Sequence, residues 1–234
     1  MPTMRLRDGR RLAYAQWGPA DGTPVVYAHG LLGSKLRGRD AVEAVLHALA
    51  VRWIVPYRPG FAGSDPHPGR APLHFADDLR QTIDRLDIGR VALVGVSAGT
   101  PYALGAALAL GERVERVALV GAIAPPEALD LRAEGGRLQR AACRTLLVVT
   151  PPTAKARAAA ADLRTLTAPW GFDPARVRQP VRLWHGADDA TVGVAHQRWL
   201  AATLPAAEPC LCPGAGHLFF RQRLHEVLSG VLGG

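Results

Sequence analysis

A short apolar run that leads into a glycine-flanked serine constrains the fold of this chain more than any other feature. Residues 91–94 are an unbroken apolar run, short enough to form a strand buried on both faces. A Gly-x-Ser-x-Gly motif centred on Ser97 follows, and the Ala/Leu-rich stretch after it predicts a helix that stops near Gly111. A serine held in a sharp strand-to-helix turn has a strained backbone, and its hydroxyl projects from the edge of the sheet. The start of the helix also directs backbone N–H groups towards any negative charge that forms beside Ser97.

Patterns of strands and helices alternate along most of the chain. Residues 4–16 alternate around Asp8 and Gly9, which predicts an N-terminal hairpin. Further strands are predicted at 24–28, 53–56, 114–124, 181–186 and 208–212, and further helices at 39–50, 73–86, 195–204 and 218–232. This alternation favours the α/β class, with a mostly parallel, doubly wound sheet that is covered on both faces.

The alternation lapses between residues 125 and 179. This stretch begins with Pro125 and Pro126, is rich in Arg and Ala, and is typical of helices with irregular joints. We interpret it as a short helical cap insertion. Residues 1–124 and 180–234 would then form the core, and residues 125–179 the cap.

Composition narrows the class of protein. The chain has 234 residues, of which 48% are hydrophobic and 21% charged, as in one soluble globular domain. Its three cysteines, an odd number, argue against a disulfide framework and favour a reducing compartment. No stretch is apolar over the length that spans a bilayer, and the N-terminus lacks a signal-peptide hydrophobic region. We therefore expect a cytoplasmic protein that does not bind a membrane.

Charge and cysteine spacing bear on the partners. The net charge is +8, but the arginines are scattered and no basic run is interleaved with aromatics, so no nucleic-acid partner is expected. An anionic substrate stays open, as does a homodimer.

Cys210 and Cys212 would share one face of a strand and could bind a metal, but no second pair lies nearby. We favour buried apolar cysteines and expect no metal.

A serine hydroxyl needs a base within hydrogen-bond reach, and the base needs a group that orients it. In doubly wound sheets such groups lie beyond the carboxyl ends of strands. Asp188 and Asp189 follow the strand predicted at 181–186, and His217 follows the strand predicted at 208–212. The order Ser, Asp, His is also the order described for this kind of serine turn. Of the two aspartates, Asp189 is favoured as the partner of the histidine, while the other would cap the turn.

The remaining seven histidines fit other roles better. His29 and His185 each precede a glycine at a strand end and are expected to hold turns through hydrogen bonds. The others lie in predicted helices or in a proline-rich loop and its surroundings, and they are His47, His67, His74, His196 and His225.

Stabilisation of an oxyanion would require two N–H donors that are fixed in advance. The residue after the serine, Ala98, would supply one of them. The second is expected from the turn after His29 and Gly30, namely the backbone amide of Leu31. No organic cofactor is implied by any of these residues.

Together these motifs resemble those of the α/β-hydrolase-fold enzymes, in the capped group of esterases, lipases and epoxide-hydrolase-like proteins. The resemblance covers nearly the whole chain and runs through the 8–9 hairpin, 29–30, 58–61, 63–65, the serine turn, 186–192 and 214–217. In this family a Gly-x-x-Asp-x-x-Val motif carries the acid, and matching Gly186 and Val192 implies Asp189. The resemblance likewise implies Ser97 as nucleophile and His217 as base. It also implies Leu31 and Ala98 as the oxyanion donors.

Three positions depart from the family pattern. Val96 stands where members often have His or Gln, Thr100 replaces a frequent second glycine, and Tyr57 stands where an Asp is common. None of them removes a catalytic group. A serine nucleophile also argues against epoxide hydrolase and haloalkane dehalogenase chemistry.

The sequence therefore predicts a serine hydrolase whose partner is a small-molecule acyl substrate, namely an ester, a thioester or a related compound. The same triad could instead transfer the acyl group or cyclise the substrate. A ligand-binding protein without catalysis on the same fold is the alternative from another class.

Overall fold

The structure, a computed structural model, describes residues 1–31, 39–128 and 153–234, and these residues form an eight-stranded sheet. The strands are β1 (Thr3–Arg5), β2 (Arg11–Trp17), β3 (Thr23–Ala28), β4 (Val51–Pro56), β5 (Val91–Val96), β6 (Val114–Val120), β7 (Val181–Gly186) and β8 (Ala207–Cys212). Their order across the sheet is β1-β2-β4-β3-β5-β6-β7-β8. The β1–β2 and β2–β4 pairs are antiparallel and the others are parallel. The N-terminal hairpin and the mostly parallel sheet are thus confirmed.

Helices cover both faces of the sheet. They are α1 (Arg39–Ala48), α2 (Pro72–Arg85), α3 (Thr100–Leu110), α4 (Ala154–Leu166), α5 (Ala195–Thr203) and α6 (Leu224–Leu232). Because successive side chains of a strand point to opposite faces, Leu93 packs in the cluster with α2, α3 and α5, whereas Val94 packs with α1 and α6. This two-sided burial explains the unbroken apolar run of the central strand β5. Within the parts of the chain that are described, no helix is long and apolar enough to cross a membrane.

Two predicted boundaries are wrong by four residues or more. Strand β6 ends at Val120 and not at residue 124, because Gly121 adopts a φ of +55° and turns the chain out of the sheet. The backbone beyond it is satisfied by side chains, since the amide of Ile123 donates to Thr100 Oγ1 at 3.2 Å. The last helix begins at Leu224 and not at residue 218, because a separate 3₁₀ turn (Phe219–Arg221) first places two phenylalanines in the core.

The predicted cap is described only in part. Residues 129–152 lie outside the described residues, so the division into core and cap stays a prediction. From the rest of this stretch, helix α4 packs over the carboxyl edge of the sheet. Its residues Leu163 and Leu166 join a small apolar cluster with Ala98, which directly follows the predicted nucleophile.

Candidate active site

The turn that carries Ser97 has the strain predicted from its glycines. Ser97 adopts a φ of +53°, in the left-handed region that residues with a Cβ rarely occupy. A Cβ on Gly99 would lie 2.0 Å from the carbonyl oxygen of Ala28, and one on Gly95 would lie 2.8 Å from the Cβ of Ala103. Only glycine therefore permits this close approach of strand, turn and helix α3, and the approach lifts the serine out of the sheet.

Thr100, one of the departures from the family pattern, supports this turn. Its hydroxyl donates to the carbonyl oxygen of Ser97 at 2.8 Å and accepts from the amide of Ile123 at 3.2 Å. The threonine is buried, so both hydrogen bonds are shielded from water. It links the serine turn to the segment that leaves strand β6.

Ser97, His217 and Asp189 form one hydrogen-bonded line. Nε2 of His217 lies 3.0 Å from Oγ of Ser97, and Nδ1 lies 2.7 Å from Oδ2 of Asp189. A carboxylate can only accept, so Nδ1 carries the proton and Nε2 of a neutral imidazole is free to accept from the serine hydroxyl. The carboxylate is fully buried and the imidazole is 14% exposed. The line therefore opens towards solvent at its serine and histidine end.

The backbone around Asp189 prepares its carboxylate for this contact. The amides of Thr191 and Val192 both donate to Oδ1 at 2.9 Å, which leaves Oδ2 for His217. Burial by itself would raise the pKa of Asp189. The hydrogen bonds from His217, Val192 and Thr191 outweigh it and bring the pKa below the usual range. The carboxylate is thus held ionised.

Of the two adjacent aspartates, only Asp189 contacts the histidine. Asp188 is exposed, and it is its backbone amide that binds the loop after β8, by donating to the carbonyl oxygen of Ala215 at 2.9 Å. A Cβ on Gly186 would lie 2.2 Å from the same oxygen. The glycine at the end of β7 therefore lets the loop that carries His217 pack closely against the loop that carries Asp189.

Gly121 lies beside His217 and Asp189, and this role was not predicted from the sequence. A Cβ on this residue would lie 3.1 Å from both Nδ1 and Cε1 of His217 and 3.7 Å from Oδ2 of Asp189. Its φ is +55°, so glycine is favoured on two independent grounds. One sequence signal was present, a glycine inside the apolar run that was predicted as a strand at 114–124. Its meaning depends on which loop packs against it.

The two predicted oxyanion donors lie beside the serine. Ala98 directly follows it and is buried, and Leu31 follows a turn in which a Cβ on Gly30 would be 3.8 Å from the Cβ of Ser97. Leu31 also packs against the apolar cluster of Ala98, Ile123, Leu163, Leu166 and Val192. This cluster forms an apolar wall next to the nucleophile.

Three of the other histidines hold the backbone in place through hydrogen bonds. Nδ1 of His29 bonds to the carbonyl oxygen of Gly30 at 2.9 Å, and Nε2 of His185 bonds to that of Val192 at 2.9 Å, so both hold turns. Nδ1 of His196 accepts from the amide of Ala124 at 3.0 Å. Burial lowers the pKa of His196 to about 4.

The cysteine prediction is met only in part. Cys212 is buried, but Cys210 is half-buried, and both are free thiols. Burial raises the pKa of Cys212, which disfavours the thiolate form that binds metals. Across residues 1–31, 39–128 and 153–234, no three His, Cys, Asp or Glu side chains are grouped as a metal ion would require.

The sheet order, the strained serine turn after the central strand and the histidine and aspartate after the last two strands define the class of α/β-hydrolase folds. A family model described as alpha/beta hydrolase fold matches residues 23–142, slightly more than half of the chain. The chain therefore belongs to the α/β-hydrolase fold family. The matched range contains Ser97 and ends before Asp189 and His217.

Two curated relatives and one solved structure show what the chain is similar to. It is 33% identical over 129 residues to a non-heme chloroperoxidase of Streptomyces lividans, with 53% of this chain and 46% of the relative covered. It is 31% identical over 120 residues to the sn-1-specific diacylglycerol lipase ABHD11 of Danio rerio, with 50% and 38% covered. The chain thus spans less than half the length of each relative. A hydrolase from Pseudomonas aeruginosa PA01 shares the fold, with a TM-score of 0.78, 19% identity and coverage of 100% of this chain and 98% of that one.

Proposed function

We propose that this protein is a serine hydrolase that cleaves an ester, thioester or related acyl substrate. The observation that carries the proposal is the continuous line from Oγ of Ser97 through the imidazole of His217 to the buried carboxylate of Asp189. A neutral imidazole with its proton fixed on Nδ1 can take the serine proton at Nε2, and this makes the hydroxyl nucleophilic.

The chemistry follows from these positions. Oγ of Ser97 attacks the substrate carbonyl while its proton passes to Nε2 of His217, and Asp189 stabilises the imidazolium that forms. The amides of Leu31 and Ala98 are the proposed donors to the oxyanion. The imidazolium then protonates the leaving group, and an acyl-enzyme remains. Water, deprotonated by the same imidazole, releases the acid and restores the serine.

The apolar wall beside the serine supports an acyl group as the bound part of the substrate. Leu163 and Leu166 from helix α4, together with Ile123 and Val192, present hydrocarbon next to Ala98. Burial of apolar surface contributes about 25 cal/mol per Å², so this wall would favour an aliphatic or aromatic acyl chain over a charged one. Membership of the α/β-hydrolase fold family and the similarity to a protein named a lipase support the same reaction.

The similarity to a protein named a chloroperoxidase favours a second candidate reaction on the same serine. An acyl-enzyme can be captured by an acceptor other than water. Hydrogen peroxide in that place would give a peracid and free Ser97, and an alcohol or amine would give acyl transfer. Both reactions need the same triad and differ only in the acceptor.

A series of p-nitrophenyl esters of graded acyl length tests the proposal. We expect release of p-nitrophenol by the wild-type protein and a loss of at least about 10³-fold in kcat for Ser97→Ala. Product analysis with and without peroxide or an alcohol separates hydrolysis from transfer. Activity that survives in Ser97→Ala would show that the wrong nucleophile has been named.

A further inference from the structure

A fully buried ion pair joins helix α4 to the turn after β4. Nε and Nη2 of Arg58 donate to Oδ2 of Asp162 at 3.0 Å and 2.6 Å, and both side chains are completely buried. Tyr102 Oη donates to Oδ1 at 2.9 Å, and Arg70 also bonds to that oxygen. The Arg58 guanidinium lies over the ring of Tyr102, 4.6 Å from its centroid. Arg58 is thereby fixed on one side by a carboxylate and on one face by an aromatic ring.

The other edge of the same guanidinium reaches the turn that carries Leu31. Nη1 of Arg58 donates to the carbonyl oxygen of His29, and Nη2 donates to that of Gly30 at 3.2 Å. The backbone amide of Arg58 donates to Nε2 of His29 at 3.3 Å. Burial and the neighbouring Arg58 lower the pKa of His29 to about 3, so the imidazole is neutral. Its single proton is on Nδ1 and is donated to Gly30.

This arrangement determines where the Leu31 N–H points. The carbonyl of Gly30 and the N–H of Leu31 belong to one planar trans peptide unit and therefore point in opposite directions. Two donors, Nη2 of Arg58 and Nδ1 of His29, hold the carbonyl from the side of Arg58. The N–H is thus fixed facing away from them, in a turn that borders Ser97.

We infer that Arg58, held by Asp162, is a positioning residue that orients the Leu31 amide for the oxyanion. The inference rests on the proposed function and deepens it, because only a reaction with a developing oxyanion gives this orientation a kinetic effect. Such donors stabilise the transition state because they are fixed before charge develops. A peptide unit that can rotate loses part of that stabilisation without losing the binding of the substrate.

The charges of the network provide a matched control. Arg58 and Arg70 share the one carboxylate of Asp162, so removing either arginine leaves a neutral buried pair. Arg70 donates instead to the carbonyl oxygens of Pro59 and Ala158, at 2.9 Å and 3.0 Å. Arg58→Met and Arg70→Met therefore remove similar volume and equal charge, but only Arg58→Met frees the turn at Gly30.

The experiment compares these two variants of the full chain on the best p-nitrophenyl ester. Active sites are counted by complete reaction with a fluorophosphonate, and Tm is followed by circular dichroism. We expect kcat per active site to fall by about 10- to 100-fold in Arg58→Met, with KM within about 3-fold of the wild-type value. Arg70→Met should lower Tm but keep kcat within about 3-fold. Equal losses of kcat in both variants, or no loss in Arg58→Met, would overturn the inference.

Arg58→Lys keeps a positive charge for Asp162 but cannot bridge it to two carbonyls, since an ammonium lacks the planar fork of donors. We expect kcat to fall at least about 5-fold, which is the kind of loss that weakening one oxyanion donor would cause. Tm should fall less than in Arg58→Met. This variant decides the question if Arg58→Met does not fold.

A wild-type protein without Ser97-dependent activity would overturn the proposed function together with this inference. An active wild-type protein with fully active Arg58 variants would overturn the inference alone.

Discussion

Nδ1 of His217 lies 2.7 Å from the carboxylate of Asp189, and the two residues come from the loops that follow neighbouring parallel strands. Strand β7 ends at Gly186 and β8 ends at Cys212, which are paired in the sheet. Because the carboxyl ends of parallel strands meet at one edge, loops of only a few residues bring the two side chains together. The geometry of the pair is therefore a consequence of the strand order.

Asp189→Asn is expected to lower kcat by about 10³–10⁴-fold with little change in fold. The amide nitrogen of asparagine can donate to Nδ1 of His217. That hydrogen bond favours the tautomer with the proton on Nε2, which cannot accept the proton of Ser97. The measurement is kcat on a p-nitrophenyl ester, together with circular dichroism to compare the folds.

Asp188→Asn is the matched control for this prediction. Its side chain is exposed, and the contact to Ala215 is made by its backbone amide, which the substitution leaves in place. We expect kcat within about 2-fold of the wild-type value, since exposed substitutions usually have small effects. A larger loss in Asp188→Asn than in Asp189→Asn would show that the acid has been assigned to the wrong residue.

Gly121→Ala should impair catalysis beyond its effect on stability. The new methyl group would lie 3.1 Å from the imidazole of His217, so the ring must move by about a few tenths of an ångström within its hydrogen-bonded line. Because rates are sensitive to the placement of catalytic groups, we expect kcat to fall by about 3- to 10-fold. The positive φ of Gly121 adds a stability cost of about 1–2 kcal/mol.

The variant Gly171→Ala separates the effect of backbone strain from the effect of displacing the imidazole of His217. Gly171 also has a positive φ, of +76°, but a Cβ there would meet nothing within 4 Å. This variant should lose stability by denaturant unfolding and retain its kcat. If both variants keep full activity per folded molecule, Gly121 does not help to position the imidazole.

Two buried histidines predict a loss of stability in acid. Burial lowers the pKa of His29 to about 3 and that of His196 to about 4, whereas both are near 6.5 in the unfolded chain. Between about pH 6.5 and 4 the unfolded chain therefore binds protons that the folded chain does not, and the free energy of unfolding falls as the pH is lowered. Each histidine contributes up to about 1.4 kcal/mol per pH unit.

Denaturant unfolding at a series of pH values between 7.5 and 4.5 measures this slope. His196→Asn keeps an acceptor for the amide of Ala124 but does not titrate in this range. In the variant, the slope of the free energy of unfolding against pH should decrease by the contribution of about one proton, which is about 1.4 kcal/mol per pH unit. The same slope in both proteins would mean that His196 is not held neutral by the fold.

The sequence predicted the parts of the site that depend on local chain geometry. Ser97 is flanked by glycines in a strand-to-helix turn, and Asp189 and His217 each follow a strand in a short loop, so their place at one edge of the sheet followed from the alternation of elements. The choice between Asp188 and Asp189 depended on a motif. In the structure Asp189 is buried and Asp188 is exposed, which accounts for the choice of Asp189.

Other features could not be predicted, because they arise from contacts between distant elements. Asp162 is one acidic residue in an Arg/Ala-rich helix, and nothing in its neighbourhood indicates that it is buried against Arg58, 104 positions earlier. The end of β6 was missed for a similar reason. The amides of Ile123 and Ala124 are satisfied by Thr100 and His196, and these partners are known only once the elements have packed.

Reaction of the folded protein with a fluorophosphonate, followed by intact mass and peptide mapping, tests the central claim most directly. We expect one adduct per chain, on Ser97, that is absent from Ser97→Ala and from protein unfolded before the reaction. The reaction should also be much slower in Asp189→Asn than in Asp188→Asn. Folded wild-type protein that stays unmodified, or that carries the adduct on another residue, would contradict the proposal that His217 and Asp189 activate Ser97.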